Sequence, residues 1–298
     1  MKLFAPSYYK DFHCIADKCR HTCCVGWEID IDDDTANIYS ALNTGYGKTI
    51  NDSIEWGDVS HFKLCENEKC PHLDDRGLCN IIREYGDGLL CEICREHPRF
   101  YNDTARGKEM GIGMSCEEAA RIILSSDSYN EFYIVEELDG EADTYGFDSV
   151  AHRDRIYDIL AENGPKYHEK LHQISREYDV SLSQKTDGEW QEMLASLEYL
   201  DDAHKALFAC FAVNSNVLQK HEKQLARAFA YFVYRHCSGA NDHNEFRASL
   251  GFALLCERLL ASLLLSSNTD IVELARIISE EIEYSEDNTE SIKAKFLK

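Results

Sequence analysis

The sequence predicts a mainly α protein, in which a cysteine-rich metal-binding N-terminal region with loops and short strands is packed on a C-terminal helical bundle. Ten of the thirteen cysteines lie within the first 116 residues. No proline follows Pro165, and Gly239 and Gly251 are the only glycines after Glu189. The 298 residues are 44% apolar, enough to bury a sizeable core. We expect a cysteine-rich metal-binding region at 1–125 and an α-helical region at 126–298, or one continuous domain.

The N-terminal region contains signals for short elements. Residues 26–34, GWEIDIDDD, alternate apolar and acidic side chains, which is typical of a half-buried strand. Residues 32–42, DDDTANIYSAL, begin with acidic residues and threonine, which favour a helix start. We expect a loop at 43–60 and a turn at DDRG, 74–77. The aromatic residues within 1–13 are expected to pack over the cysteine core.

From residue 116 the pattern becomes helical. Ser115 precedes Glu118 by three residues and an apolar run follows, which predicts a capping box at a helix start. Apolar residues recur at spacings of three and four between residues 193 and 263, so we expect a helical bundle from about residue 150 to the end. The acidic stretch at 137–148 is a plausible boundary. Cys210, Cys237 and Cys256 fall on these helices and are interpreted as core residues.

The net charge of −23 and the pI of about 4.8 argue against a nucleic-acid partner, because the sequence has no run of Lys or Arg that would neutralise phosphates. An acidic surface favours basic or lysine-bearing partners, or serves solubility alone. The sequence has no secretory apolar segment and no run of eighteen apolar residues. We therefore expect a soluble cytoplasmic protein with no membrane partner.

The density of cysteines indicates metal binding, since a reducing compartment disfavours structural disulfides. Thiolates select zinc, copper(I) or iron–sulfur clusters, and the spacing leaves the metal open. Consecutive side chains diverge, so the adjacent Cys23 and Cys24 favour two centres, or one ligand and one core residue. Four histidines lie near these cysteines in the sequence: His13, His21, His72 and His97. Each is interpretable as a metal ligand in place of a thiolate, as a residue that supports the ligands, or as a surface residue.

Several catalytic motifs are absent from the sequence. It contains no G-x-G-x-x-G, P-loop, G-x-S-x-G or C-x3-C-x2-C pattern. The residues by themselves therefore predict an acidic metal-thiolate protein with a helical C-terminal half.

Four stretches resemble the flagellin lysine N-methylase family: CIADKCRHTCCVGWEIDIDDDTANIY at 14–39, CPHLDDRGLCNIIREYGDGLLCEICREHPR at 70–99, MSCEEAARIIL at 114–124 and FAYFVYRHC at 229–237. The first two are also similar to cysteine-cluster proteins described as zinc- or iron-chelating. His72 replaces the family's usual aromatic residue after CP, and CREHPR replaces its CRTYPR; neither change removes a cysteine. The resemblance implies metal ligands at Cys14, Cys19, Cys23, Cys24, Cys70, Cys79, Cys94 and Cys116, with Cys65 and Cys91 as extras.

The resemblance also implies methyl transfer from S-adenosylmethionine to lysines of flagellin, and a 4Fe-4S cluster in preference to zinc. The sequence identifies neither catalytic residues nor a donor-binding motif. Candidates for a donor cradle are Trp27, Asp30, Asp32, Tyr39, Tyr231 and Tyr234, although core packing of the aromatic residues and a solvated strand face for the two aspartates are the favoured interpretations. Two alternatives remain open, namely a non-catalytic metal-binding interaction module and an iron–sulfur redox protein.

Overall fold

Helices dominate the chain, which confirms the predicted mainly α class. The computed structural model describes residues 1–140, 146–214 and 219–297. Its strands are β1 (Lys2–Pro6), β2 (Asp30–Ile31), β3 (Ile54–Glu55), β4 (Ser60–Phe62), β5 (Arg99–Thr104), β6 (Gly107–Ile112) and β7 (Phe132–Glu137). Its α-helices are α1 (Asp33–Ser40), α2 (Gly45–Asp52), α3 (Asn80–Tyr85), α4 (Glu92–Glu96), α5 (Glu117–Ser125), α6 (Ser149–Ala161), α7 (Tyr167–Glu177), α8 (Asp187–Ala195), α9 (Asp202–Phe208), α10 (Glu222–Cys237), α11 (His243–Ser266), α12 (Ile271–Ile278) and α13 (Glu286–Lys293).

The chain divides into two compact units. The helical unit consists of Met1–Phe12 and Arg99–Lys298, and the cysteine-rich unit consists of His13–Pro98. These bounds differ from the regions 1–125 and 126–298, whose standing as domains stays a prediction. The expected boundary at 137–148 contains residues 141–145, which lie outside the described residues.

The cysteine-rich unit contains a small antiparallel sheet of order β2-β4-β3. The strand and helix expected around residue 31 are confirmed: Ile29 and Ile31 are buried, and the Asp32 carboxylate caps α1 by accepting the Thr35 N–H at 2.9 Å. The expected loop at 43–60 is wrong, because α2, β3 and the first residue of β4 lie there. Ile50 is fully buried on α2, so tertiary packing outweighs the weak helix propensity of this polar segment.

The turn at 74–77 is confirmed. The Asp74 Oδ1 atom accepts the N–H groups of Arg76 at 2.9 Å and Leu78 at 3.0 Å. Gly77 has a φ of +76°, a conformation that a side chain would strain. This turn lies between Leu73 and Cys79, which pair as a short β-bridge, and α3 begins directly after Cys79.

The helical unit contains a four-stranded sheet that the sequence analysis did not predict. Its order is β5-β6-β1-β7, with β1 parallel to β6 and antiparallel to β7. The first twelve residues form β1 and a following turn, and Tyr8 is buried in the core of the helical unit. The expectation that these residues pack over the cysteine core is therefore wrong, because strand pairing on both edges of β1 fixes them in this sheet.

The predicted bundle after residue 150 is confirmed, and its longest helix, α11, is mostly buried. This helix is long and apolar enough to cross a membrane by length and composition, but 83% of its most apolar window is buried inside the protein. Gly251 on α11 lies against the Phe296 ring, which leaves no space for a larger residue. Cys237 and Cys256 are fully buried and Cys210 packs against the same core, which confirms their interpretation as core residues.

The predicted capping box at Ser115 is wrong. Helix α5 begins at Glu117, with Cys116 as a cap residue that makes no side-chain capping bond. The Glu118 carboxylate instead binds the Arg121 guanidinium, with contacts of 2.7 and 2.6 Å. Because Arg121 lies three residues after Glu118 on the same helix, its guanidinium binds the Glu118 carboxylate in place of the backbone N–H of Ser115.

Candidate metal centre

The two cysteine motifs meet through the backbone. The Cys70 N–H donates to the Cys24 carbonyl at 2.9 Å, and Val25 forms a β-bridge with Lys69. The Gly26 N–H adds a bond to the Glu68 carbonyl at 3.1 Å. These contacts hold the end of the first motif against the start of the second.

Within the second motif, short helices position three further thiols. Cys79 immediately precedes α3, Cys91 immediately precedes α4, and Cys94 lies in the first turn of α4. Amide groups at the start of a helix point outward and favour negative charge, so they stabilise a thiolate. The Asp32 carboxylate, which caps α1, also accepts the Glu92 N–H at 2.7 Å and thereby ties α1 to the start of α4.

The cysteines of this unit differ in burial. Cys70 and Cys91 are 7% and 1% exposed and belong to the apolar core that contains Ile29, Tyr39 and Phe62. Three more cysteines pack against that core and are partly buried: Cys24, Cys79 and Cys94. Cys14, Cys23 and Cys65 are exposed.

The adjacent Cys23 and Cys24 do not diverge as expected. Their sulfur atoms lie 3.9 Å apart, within contact distance of each other. The Trp27 Nε1–H donates to the Cys23 carbonyl at 2.9 Å and fixes the backbone at this position. Both thiols therefore face the same space, and one centre is sterically open to both.

The thiols perturb one another electrostatically. Burial, together with the nearby Cys79, Cys91 and Cys65, raises the pKa of Cys70 to about 12. Burial also raises the pKa of Cys79, against bonds from the backbone amides of Ile81 and Ile82. A group of buried thiols that oppose each other's ionisation is the donor set that a bound cation would stabilise as thiolates.

Cys91 and Cys94 form a hydrogen-bonded pair. The hydrogen bond from Cys94 lowers the pKa of Cys91, and the same bond raises the pKa of Cys94. The resemblance assigned Cys91 as an extra, yet the structure places it among the buried thiols. Its C-x-x-C spacing to Cys94 was the sequence signal that could have identified it.

Three further cysteines are expected ligands: Cys14, Cys19 and Cys116. Cys14 and Cys19 flank a short 3-10 turn at Ala16–Lys18, and the Cys19 N–H donates to the Ala16 carbonyl at 3.1 Å. Cys116 belongs to the helical unit, at the start of α5. Packing on one core and electrostatic interaction thus link Cys23, Cys24, Cys70, Cys79, Cys91 and Cys94, and the ligand role of each of the eight expected cysteines stays a prediction.

His72 has a supporting position beside the thiols. Its Nδ1 lies 2.8 Å from the Tyr46 hydroxyl and its Nε2 lies 3.0 Å from the Ser53 hydroxyl. Burial lowers its pKa to about 4, so the ring is neutral at physiological pH. Both ring nitrogens are engaged, which identifies His72 as a residue that stabilises the segment after Cys70.

Most of the residues that were candidates for a methyl-donor site form hydrogen bonds within the protein. The Tyr39 hydroxyl donates to the Leu89 carbonyl at 2.6 Å, and the Tyr234 hydroxyl donates to the Met110 carbonyl at 2.8 Å. The Tyr231 hydroxyl accepts the Met114 N–H at 3.1 Å and donates to Glu283 at 3.0 Å. Asp32 and Trp27 have the roles described above, and Asp30 is exposed on β2. These contacts explain five of the six residues without a ligand, and Asp30 fits a solvated strand face.

The chemistry of the donor set fits a soft metal ion or an iron–sulfur cluster. Sulfur is the ligand type at every position of the group, and thiolate sulfur is the donor that zinc and iron–sulfur clusters share. Part of the group is buried in an apolar core, which would shield a cluster from water. The residues do not by themselves distinguish zinc from iron.

Comparisons with known proteins support a distant relationship. The chain is similar to the lysine-N-methylases of Salmonella choleraesuis and Salmonella typhimurium, with 26% identity over 129 residues that cover 40% of this chain and 32% of each relative. It is also similar to the flagellar biosynthetic protein FliU of Salmonella muenchen, with 27% identity over 129 residues that cover 40% of this chain and 75% of that protein. The chain therefore spans about a third of the length of the lysine-N-methylases that it matches.

These similarities confirm the resemblance to lysine N-methylases that the cysteine motifs indicated. No protein-family model matches the chain, and no solved structure matches it. The similarity to zinc- or iron-chelating cysteine-cluster proteins stays a prediction.

Proposed function

We propose that this chain is a cytoplasmic protein-lysine N-methyltransferase that modifies flagellin or another lysine-bearing protein, with S-adenosylmethionine as the methyl donor. The observation that carries the proposal is the similarity to proteins named lysine-N-methylase, which the resemblance of the cysteine motifs also indicated. The net charge of −23 supports it, since an acidic surface attracts lysine-bearing partners over long distances.

A metal centre held by cysteines is part of the proposal. The grouped thiols of Cys24, Cys70, Cys79, Cys91 and Cys94, with Cys23 beside them, would hold it, and the resemblance adds Cys14, Cys19 and Cys116. We favour a 4Fe-4S cluster over zinc because of the resemblance. When bound, the metal would neutralise the thiolates and fix the loops of the cysteine-rich unit.

The reaction sets requirements for the chain itself. The target lysine must lose its proton before attack, so the protein must desolvate the ammonium or place a base beside it. The donor sulfonium requires aromatic faces and carboxylates, and the two reactants must be held in line at contact distance.

A mass measurement tests the methyltransferase activity. Protein purified without oxygen is incubated with S-adenosylmethionine and purified flagellin, and flagellin peptides are analysed for mass increments of one methyl group on lysine. We expect increments that depend on both the protein and the donor. Unmodified flagellin with an intact metalloprotein would contradict the proposal and favour the non-catalytic interaction module.

The hydrogen-bonded pair of Cys91 and Cys94 favours a second candidate, an iron–sulfur redox protein. Two cysteines at C-x-x-C spacing are also a ligand pattern of iron–sulfur electron carriers. Optical redox titration distinguishes the two candidates. A reversible one-electron transition without lysine methylation would support the redox protein.

A further inference from the structure

Strand β7 forms one edge of the four-stranded sheet. It pairs with β1 along one side, and no strand pairs with its other side among the described residues. Within the same part of the chain, residues 132–137 form no backbone hydrogen bond outside this ladder. A strand carries N–H and C=O groups on both sides, so the outer side of β7 presents unpaired groups to which another strand can bind.

Two large apolar side chains of β7 are exposed to solvent. Ile134 and Val135 are 45% and 39% exposed, whereas Phe132 at the start of the strand packs against the core of the helical unit. The register with β1 shifts at this point, which leaves Val135 without a partner on β1. Exposed apolar side chains beside unpaired backbone groups favour pairing with a strand of another chain.

The charges around β7 select the kind of strand that pairs there. Four exposed carboxylates lie on or beside the strand: Glu131, Glu136, Glu137 and Asp139. Residues 128–140 contain no Lys or Arg, although Lys2 of β1 lies opposite Glu137 and the Lys10 ammonium lies over the Tyr133 ring. Like charges opposite each other on paired strands are destabilising, and opposite charges are stabilising. A second copy of β7 would meet carboxylates with carboxylates, whereas a lysine-bearing strand would meet them with ammonium groups.

We propose that β7 binds an extended, lysine-bearing segment of the protein substrate, which adds to the sheet as a fifth strand. Hydrogen bonds to the outer backbone groups of β7 supply affinity that does not depend on the sequence of the segment. Ile134 and Val135 contact its apolar side chains, and the carboxylates of Glu131, Glu136 and Asp139 attract its lysines. The inference rests on the proposed methyltransferase function, since that function requires a lysine-bearing protein.

Hydrogen–deuterium exchange tests the strand pairing directly. The anaerobically purified full chain is measured with and without purified flagellin. We expect the amides of residues 132–137 to exchange more slowly when flagellin is bound, because their outer groups then form hydrogen bonds. The amides of α8 are the internal reference and should be unchanged. Protection of β7 that increases with the concentration of the chain alone would show that a second copy covers this edge, which would contradict the proposal.

The variant Glu136→Lys tests the charge selection. Glu192→Lys makes the same change at an exposed residue of α8 and is the matched control. Both sites are exposed, so both variants are expected to fold, which circular dichroism checks. We expect Glu136→Lys to raise the Kd for flagellin about fivefold at low ionic strength, because an attraction to lysine becomes a repulsion. Equal Kd values for the two variants would contradict the proposal.

The exchange and methylation measurements separate this inference from the proposed function. If the unmodified chain methylates flagellin and residues 132–137 gain no protection, the substrate binds elsewhere and the methyltransferase function stands. If flagellin protects residues 132–137 and gains no methyl group, the binding edge is correct and the methyltransferase function fails. If the unmodified chain does not bind flagellin, the inference fails.

Discussion

The backbone N–H of Cys70 donates a hydrogen bond of 2.9 Å to the carbonyl of Cys24, and this contact joins the two cysteine motifs. The thiols around it come from segments that are distant in sequence, so they assemble only when the unit folds. A metal that binds this assembly and not the unfolded chain contributes its binding free energy to folding.

Replacing Cys79 with serine tests that coupling. We expect Cys79→Ser to contain little metal and to unfold at a lower temperature, because its thiol lies among the grouped cysteines. Cys210→Ser is the matched control, since Cys210 packs against the core of the helical unit. Bound metal per chain and the Tm of both variants provide the measurement. A metal content in Cys79→Ser equal to that of the control would contradict the coupling.

Cys91 provides a separate test of the ligand assignment. We expect Cys91→Ser to lose metal as Cys79→Ser does, because its thiol is 1% exposed and contacts Cys94. The exposed Cys65→Ser variant should retain its metal. The comparison is made on freshly purified protein by elemental analysis. Full metal content in Cys91→Ser would show that the resemblance correctly assigned this residue as an extra.

The buried ion pair of Arg153 and Glu109 allows a prediction about stability. Arg153→Met leaves the Glu109 carboxylate buried without its partner, which should reduce the free energy of unfolding by about 3–5 kcal/mol. The double variant Arg153→Met with Glu109→Gln removes the uncompensated charge and should regain part of this loss. Urea unfolding of the single and double variants measures both effects. Equal destabilisation in the two would contradict the electrostatic explanation.

His204 gives a pH dependence with a defined sign. Its Nδ1 lies 2.6 Å from the buried Glu281 carboxylate, and this contact raises the pKa of His204. Asp201 and Glu280 act in the same direction. A raised folded-state pKa stabilises the protein fully below the unfolded value, about 6.5, and the stabilisation is lost as the pH rises through the folded value.

The matched variant His204→Gln isolates that contribution. The difference in the free energy of unfolding between the unmodified chain and His204→Gln should be largest near pH 6 and decrease towards pH 9. Urea titrations across this interval provide the measurement. A difference that grows with pH would contradict the assigned ion pair.

Local signals predicted the elements that local contacts determine. The acidic start before Thr35 predicted α1 because the Asp32 cap is a contact between neighbours in sequence, and the same holds for the turn at Asp74. The spacing of apolar residues predicted the bundle because each helix buries one face. Ser115 shows the limit of such signals, since Arg121 competes for the Glu118 carboxylate.

Elements that depend on distant pairing were not predictable in this way. Strand β1 is stabilised by β6 and β7, which lie more than a hundred residues further along the chain. The approach of Cys91 to the other thiols depends on the path of α3 and α4, which spacing alone does not determine. The eight expected metal ligands were sorted by resemblance, and the structure groups five of them with Cys91.

The most direct test of the central claim, that the cysteines hold a metal centre, is elemental analysis with an absorption spectrum on protein purified without oxygen. We expect about four irons per chain and the broad visible absorption of a 4Fe-4S cluster. Zinc with a colourless solution would replace the iron assignment and leave the thiol site in place. A folded, stable protein that contains neither metal would contradict the claim.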